Sequence, residues 1–287
     1  MSIYRDLTRQ PLPKSIVATG VWAARGLLNQ RPGCRIIVNS FPKCGTHAVA
    51  MIIRDLTGLQ ISPHILAEHS LKFEMIPKVQ RHAKLAALSQ PVVMAHLRYD
   101  LDTVRMFDRN DIFINVKRDP LEVLFSYTAW IQVEKKFVLH EHFANRSEAY
   151  IRNSLVNGFQ YGGRRYFPPL FDQMTLWTPW QERHENTTIS FEDIIADQGS
   201  GEGLGAVIGE KYPNLVQSLV NLTGRELRYG ASRTASSTSA TFIKGRGAKS
   251  LTAFTLPIKE RRDLLAQANP ILDKWGYLQQ YEKLLDK

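Results

Sequence analysis

Cysteine is nearly absent from this chain of 287 residues, which carries only Cys34 and Cys44. Two thiols exclude a disulfide-stapled secreted scaffold and leave too few ligands for a thiolate zinc site. Long hydrophobic runs are missing too. The most apolar N-terminal stretch, residues 16–28, is broken by Arg25 and falls short of the roughly 20 residues that a membrane-spanning helix needs. It reads either as a surface helix or, because Trp22 lies between Lys14 and Arg25, as a membrane-surface anchor. No basic start followed by an apolar core marks a secretory leader. The expectation is a soluble, cytoplasmic protein without an integral membrane segment. Acidic residues are in deficit, 27 against 37 Lys+Arg, a formal charge of +10. That balance favours an anionic partner and says nothing about fold. Repeats are absent, and low complexity is confined to a Ser/Thr/Ala run at residues 232–241.

What is present belongs to an ordinary globular protein, with 44% hydrophobic and 22% charged residues, so disorder as the main state is excluded. The length suits one large domain or two small ones, and the reading adopted is a single domain spanning residues 1–287, with a core at about 36–280 and an N-terminal extension at 1–34. Short apolar runs at residues 36–40, 91–95, 112–116 and 187–191 read as buried parallel strands. Helical patterns cover residues 46–56, 215–222 and 258–268. Another helix starts at Asp119-Pro120, a good N-cap followed by proline at the first helical position, and runs to Ile131. Strands alternating with helices predict an α/β fold, a central parallel sheet flanked by helices. Between Trp130 and Trp180 aromatics are dense, and they form either core under long loops or the wall of an apolar pocket. Most of the excess charge falls in residues 225–262, partly on the glycine-containing stretch Lys244-Gly-Arg-Gly247.

Two segments carry chemistry. The first, Ser40-Phe-Pro-Lys-Cys-Gly-Thr-His47, joins a strand to a helix. Such a turn aims backbone N–H groups at one point, at the positive end of a helix dipole, and so builds a phosphate site. Lys43 adds a charge and Thr46 a hydroxyl. The nucleotide-hydrolase pattern G-x-x-x-x-G-K-[ST] does not fit, because the lysine precedes the glycine and the first glycine is missing. The second segment, Val116-Lys-Arg-Asp-Pro-Leu-Glu-Val-Leu-Phe-Ser126, places Arg118 at a strand's carboxyl end and Ser126 within the following helix. Open α/β sheets bind ligands in that crevice. Arg118 presents a planar fork suited to phosphate, or pairs structurally with Asp119 or Glu122.

Together these segments resemble the sulfotransferases that use 3′-phosphoadenosine 5′-phosphosulfate (PAPS), in particular the cytosolic-type branch. Pro42-Lys-Cys-Gly-Thr46 is similar to that family's P-K-S-G-T loop, and Arg118 and Ser126 match its 3′-phosphate motif. His96, in Met94-Ala-His-Leu97, lies where the family has its catalytic histidine. Trp180 and Phe191-Glu-Asp193 resemble a W…Y-E-D stretch, and Phe242-Ile-Lys-Gly-Arg-Gly247 resembles the late F-x-R-K-G loop. The resemblance spans about residues 36–256. It departs at Cys44, where the family has serine, at His47-Ala48 in place of T-W, at Met94 in place of lysine, and in a late loop one residue short.

The resemblance implies a P-loop-like phosphosulfate loop and transfer of a sulfuryl group from PAPS to a hydroxyl or amine of a small-molecule acceptor, a natural product by preference. His96 and Lys43 are the implied catalytic residues. Lys43, Cys44, Gly45, Thr46, His47, Arg118, Ser126, Lys244, Gly245 and Arg246 are the implied cofactor-binding residues. No metal and no nucleic acid are expected, and oligomeric state is not readable. The competing readings are a metal-dependent phosphoryl-transfer kinase, which needs acidic Mg²⁺ ligands, and a basic nucleic-acid-binding protein. His140-Glu-His142 reads as a solvated segment rather than a metal site. Cys44, beside Lys43 and a helix N-terminus, is expected to have a lowered pKa. Glu192 and Asp193 read as a strand-end ion pair or helix cap rather than as bases.

Overall fold

The computed structural model describes residues 33–68, 76–163, 165–183, 186–195, 204–229 and 252–285. Residues 1–32 of the N-terminal extension, including the stretch 16–28 read as a surface helix or a membrane-surface anchor, and the late-loop residues Lys244, Gly245 and Arg246 lie outside them. In chain order the described elements begin with β1 (Ile36–Ser40), α1 (Thr46–Thr57), β2 (Leu66–Ala67), α2 (Lys78–Ala87), β3 (Val92–His96), α3 (Leu101–Val104) and β4 (Ile112–Lys117). Next come α4 (Pro120–Val133), α5 (Val138–Phe143), α6 (Glu148–Asn157), a hairpin of β5 (Phe159–Tyr161) and β6 (Arg165–Phe167), α7 (Leu170–Thr175) and α8 (Thr178–Glu182). The chain closes with β7 (Thr187–Ser190), α9 (Phe191–Ile195), α10 (Leu204–Lys211), α11 (Pro213–Thr223), α12 (Ile258–Trp275) and α13 (Leu278–Leu285).

All four predicted strands form, and short β2 joins them. The sheet order is β2-β3-β1-β4-β7, every pairing parallel. Alternation along β1 explains why its sequence reads as one apolar run. Ile36 and Val38 pack with α1, α10 and α11 on one face, whereas Ile37 packs with Val93, Ala95 and Leu97 on the other. From β1 the chain passes to β3 on one side and then to β4 on the other. The carboxyl ends of β1 and β4 therefore flank a switch point, where doubly wound sheets open a crevice.

Three local expectations change. Residue 191 opens α9 rather than ending a strand. Helix α12 runs through Pro270 to Trp275, well past residue 268, because Leu264, Leu265, Ala268, Ile271, Leu272 and Trp275 keep one buried stripe. That packing outweighs the roughly 3 kcal/mol an internal proline costs. The aromatic segment is not loop. Phe137, Phe143, Phe167, Phe171, Trp177 and Trp180 are buried in one cluster supported by α4, α12 and the short helices α5–α8, while Tyr150 and Tyr166 are exposed.

Candidate active site

The turn after β1 is tight. Lys43 has φ 75 and Gly45 φ 98, so two residues out of three adopt a left-handed conformation. Gly45 tolerates it at no steric cost; Lys43 holds it against strain of order 1–3 kcal/mol, the kind stored at functional sites. Gly45 is required for a second reason. A Cβ there would lie 2.2 Å from the Phe191 ring at the start of α9. The Cys44 amide donates to the Phe41 carbonyl (3.2 Å), and the Thr46 hydroxyl shares a hydrogen bond with the Ser40 hydroxyl. No side chain caps the N-terminus of α1. Its first N–H groups, which an α-helix leaves without internal partners, are thus directed at the crevice.

Arg118 follows β4 and is buried, 6% exposed. Its Nη1 donates to the Lys43 carbonyl (3.1 Å), so the two phosphate-type segments meet. Its guanidinium covers the Phe191 ring at 4.9 Å, and Glu122 stands 3.9 Å from Nη2, beyond hydrogen-bond range. The Nε atom is buried with no hydrogen-bond partner. Lys43 lies 5.0 Å from the Trp130 ring centre. Burial, and then the Arg118 charge, lower its pKa to about 8. Two cations held this close make a pocket that favours an anion. Ser126 and Trp130 follow Glu122 at the helical i, i+4 spacing along α4, and Ser126 is half-buried.

His96 ends β3, one strand over from β1. Its Nδ1 lies 2.9 Å from the Ser40 carbonyl, an acceptor only, so in the neutral ring Nδ1 carries the proton and Nε2 keeps a lone pair. Burial lowers its pKa to about 4, against the Ser40 carbonyl, which raises it, while His47 and Lys43 lower it further. Asn39 supports the next residue: its side chain donates to the Leu97 carbonyl (3.0 Å) and accepts from the Leu97 amide (2.9 Å). The Trp180 indole donates to that same carbonyl (2.9 Å). His47 is half-buried, and burial, followed by the Lys43 charge, lowers its pKa.

One expectation is overturned. The Cys44 thiol is fully buried among apolar side chains, and burial pushes its pKa well up rather than down. Desolvation of a thiolate there exceeds the help of the Arg118 charge. Cys44 shapes the turn from its core side. Glu192 and Asp193 are committed to structure, as the sequence suggested. Glu192 accepts from the Asp119 amide (2.9 Å), the Ser190 hydroxyl (2.9 Å) and the Tyr277 hydroxyl (2.7 Å). Asp193 pairs with Lys211 (3.1 Å) and accepts from the Tyr212 hydroxyl (2.9 Å). His140 bonds the Ile131 carbonyl and His142 stacks on Phe159; among the described residues no three His, Cys, Asp or Glu side chains gather to hold a metal. Among the described helices none is long and apolar enough to cross a membrane.

Asn39, the contact of Trp130 with Lys43 and the packing role of Phe191 escaped sequence reasoning. An asparagine inside an apolar strand was a usable signal for the first. Nothing local marks the other two, because their neighbours come from other elements.

The sulfotransferase-domain family model matches residues 34–201. No curated protein matches the chain. Among solved structures, mouse sulfotransferase SULT7A1 complexed with PAP aligns over 93% of this chain and 94% of its own, at 12% identity and a TM-score of 0.55. Retinol dehydratase in a complex with retinol and PAP aligns more loosely, over 74% of this chain and 66% of its own, at 12% identity and a TM-score of 0.40. The family match covers more than half of the length and runs through the turn after β1, the end of β3 and the start of α4; the chain belongs to the sulfotransferase domain family.

Proposed function

We propose that this enzyme moves a sulfuryl group from PAPS to a hydroxyl or amine of a small molecule, with a cytoplasmic location as the accompanying reading. The observation that carries the donor is the Arg118–Lys43 contact. It joins a basic residue after β4 to the turn after β1, and leaves Arg118 Nε buried without a partner beside an uncapped helix N-terminus. An anion bearing two separated phosphate-type groups suits that arrangement. Bound there, the donor supplies an activated sulfuryl group on its 5′-phosphate. The chemistry parallels phosphoryl transfer, in which positioning and charge stabilisation do most of the work.

In this reading Lys43 and the N–H groups at the start of α1 stabilise charge that develops on the leaving phosphate. His96 Nε2 takes the acceptor's proton as the new O–S or N–S bond forms and the sulfur–phosphate oxygen bond breaks. Arg118 and Ser126 hold the 3′-phosphate, with Lys244 or Arg246 as a further contact from the late loop, while Gly45, Thr46 and His47 line the 5′ end. Trp130, against Lys43, offers a flat apolar wall, which favours a ring-bearing acceptor such as a natural product.

Calorimetry in EDTA tests the donor. Adenosine 3′,5′-bisphosphate is expected to bind without added metal. Arg118→Ala is expected to weaken it about tenfold or more, since a charge-assisted hydrogen bond contributes about 1.5–3 kcal/mol. Adenosine 5′-phosphate should be little affected. Equal losses for both ligands, or binding that needs Mg²⁺, would overturn the reading.

A further inference from the structure

The C-terminal segment lies beyond the residues matched by the family model, yet it closes around the Arg118 motif. Lys117 donates to the Trp275 carbonyl (2.9 Å). Asp119 caps α4 and is 2% exposed. Its Oδ1 accepts from the Leu121 amide (2.8 Å), and its Oδ2 accepts from Gln280 (2.7 Å) and from the Tyr281 hydroxyl (2.6 Å). The Asp119 amide itself donates to Glu192, whose other oxygen accepts from Tyr277 (2.7 Å). The peptide that links Arg118 to Asp119 is thereby held between two carboxylates; Glu192 draws a donor from the turn before α13, and Asp119 draws two from α13 itself.

Buried carboxylates need such donors, and one left short of a partner shifts until it finds another. A shift here moves the residue whose guanidinium must meet a phosphate oxygen, and misplacement by about 1 Å is enough to cost a large factor in a site that works by positioning. We propose that Tyr277, Gln280 and Tyr281 are positioning residues for the 3′-phosphate subsite, acting through Asp119 and Glu192 on the peptide that carries Arg118. The proposal rests on the donor reading given above.

The test is a selectivity ratio: the affinity for adenosine 3′,5′-bisphosphate divided by that for adenosine 5′-phosphate, measured on the full chain. Tyr281→Phe keeps the ring and removes one donor. Its ratio is expected to fall about three- to tenfold, the worth of one hydrogen bond, with adenosine 5′-phosphate affinity nearly unchanged. Gln280→Leu removes the other donor at a half-buried position and carries the same expectation should Tyr281→Phe fail to fold. A preserved ratio in a folded variant, or equal weakening of both ligands, overturns the positioning role. A wild-type chain that binds both nucleotides alike overturns the 3′-phosphate reading and this proposal with it, and that outcome is read before any variant is made.

Discussion

Lys43 and His96 have opposite tasks in the proposed mechanism, and their surroundings pull both pKa values down. For Lys43 the drop to about 8 means that its charge is present below that pH and lost as pH rises through it. For His96 the drop to about 4 keeps the ring neutral, with Nε2 free to accept a proton, over the whole range above. The free-enzyme profile, kcat/KM against pH, is therefore expected to hold level from about pH 5 to about pH 7 and to fall on the alkaline side near 8. An anionic nucleotide restores the Lys43 proton, so the same limb in kcat should lie higher. Lys43→Arg should displace the limb beyond reach, because arginine stays charged. An alkaline limb unmoved by Lys43→Arg would assign it to another group. His96→Gln is expected to cut kcat by about 10²-fold or more, with nucleotide affinity and melting temperature retained. Survival of kcat would return His96 to the role of a core residue bonded to the Ser40 carbonyl.

At the scale of elements, the turn between β1 and α1 is shaped as much by α9 as by its own residues. Gly45→Ala meets two obstacles, φ 98 and a contact of 2.2 Å with the Phe191 ring. Gly162 separates them, since it also has positive φ, 54, but nothing within 4 Å of the added carbon. Denaturant unfolding should show Gly162→Ala costing about 1 kcal/mol and Gly45→Ala more than about 2 kcal/mol, the overpacking being additional. Phe191→Leu in the Gly45→Ala background should recover part of the loss. Equal costs at the two glycines would mean that Phe191 yields freely and does not define the turn. Arg118 lies over the same ring, so the element that sterically demands glycine at 45 also seats the guanidinium that reaches the Lys43 carbonyl.

At the scale of the molecule, the crevice is where β1, β3, β4, α9 and the C-terminal helices converge, and an anion bound there ties them together. Ligand binding confined to the folded state adds about 2.7 kcal/mol of stability at a hundred times Kd. For a chain of this size that corresponds to a rise in Tm of about 5 °C or more. Adenosine 3′,5′-bisphosphate in EDTA is expected to give that rise, and adenosine 5′-phosphate at equal concentration a smaller one. Equal shifts would argue against a 3′-phosphate subsite.

How much of this was legible beforehand depends on the range over which each signal acts. Strands β1, β3 and β4 could be read because a buried strand is a local apolar run, whereas β7, an edge strand in which only Ile189 is buried, is marked by its β-branched residues Thr187, Thr188 and Ile189. The start of α4 could be read because Asp119-Pro120 is a cap written in adjacent residues. The turn after β1 and the place of Arg118 at the end of β4 were legible for the same reason, each being a short segment with its pattern in sequence. Tertiary structure alone decided the rest. Cys44 sits beside a lysine and a helix N-terminus, but its pKa is set by apolar side chains from α4 and beyond that no neighbouring residue announces. The tautomer of His96 depends on a carbonyl in another strand, and the need for glycine at 45 on a ring 146 positions away in the chain. Asp119 reads in sequence only as a helix cap. Its bonds to Gln280 and Tyr281 exist because folding returns the C-terminus to β4, and burial makes those donors necessary.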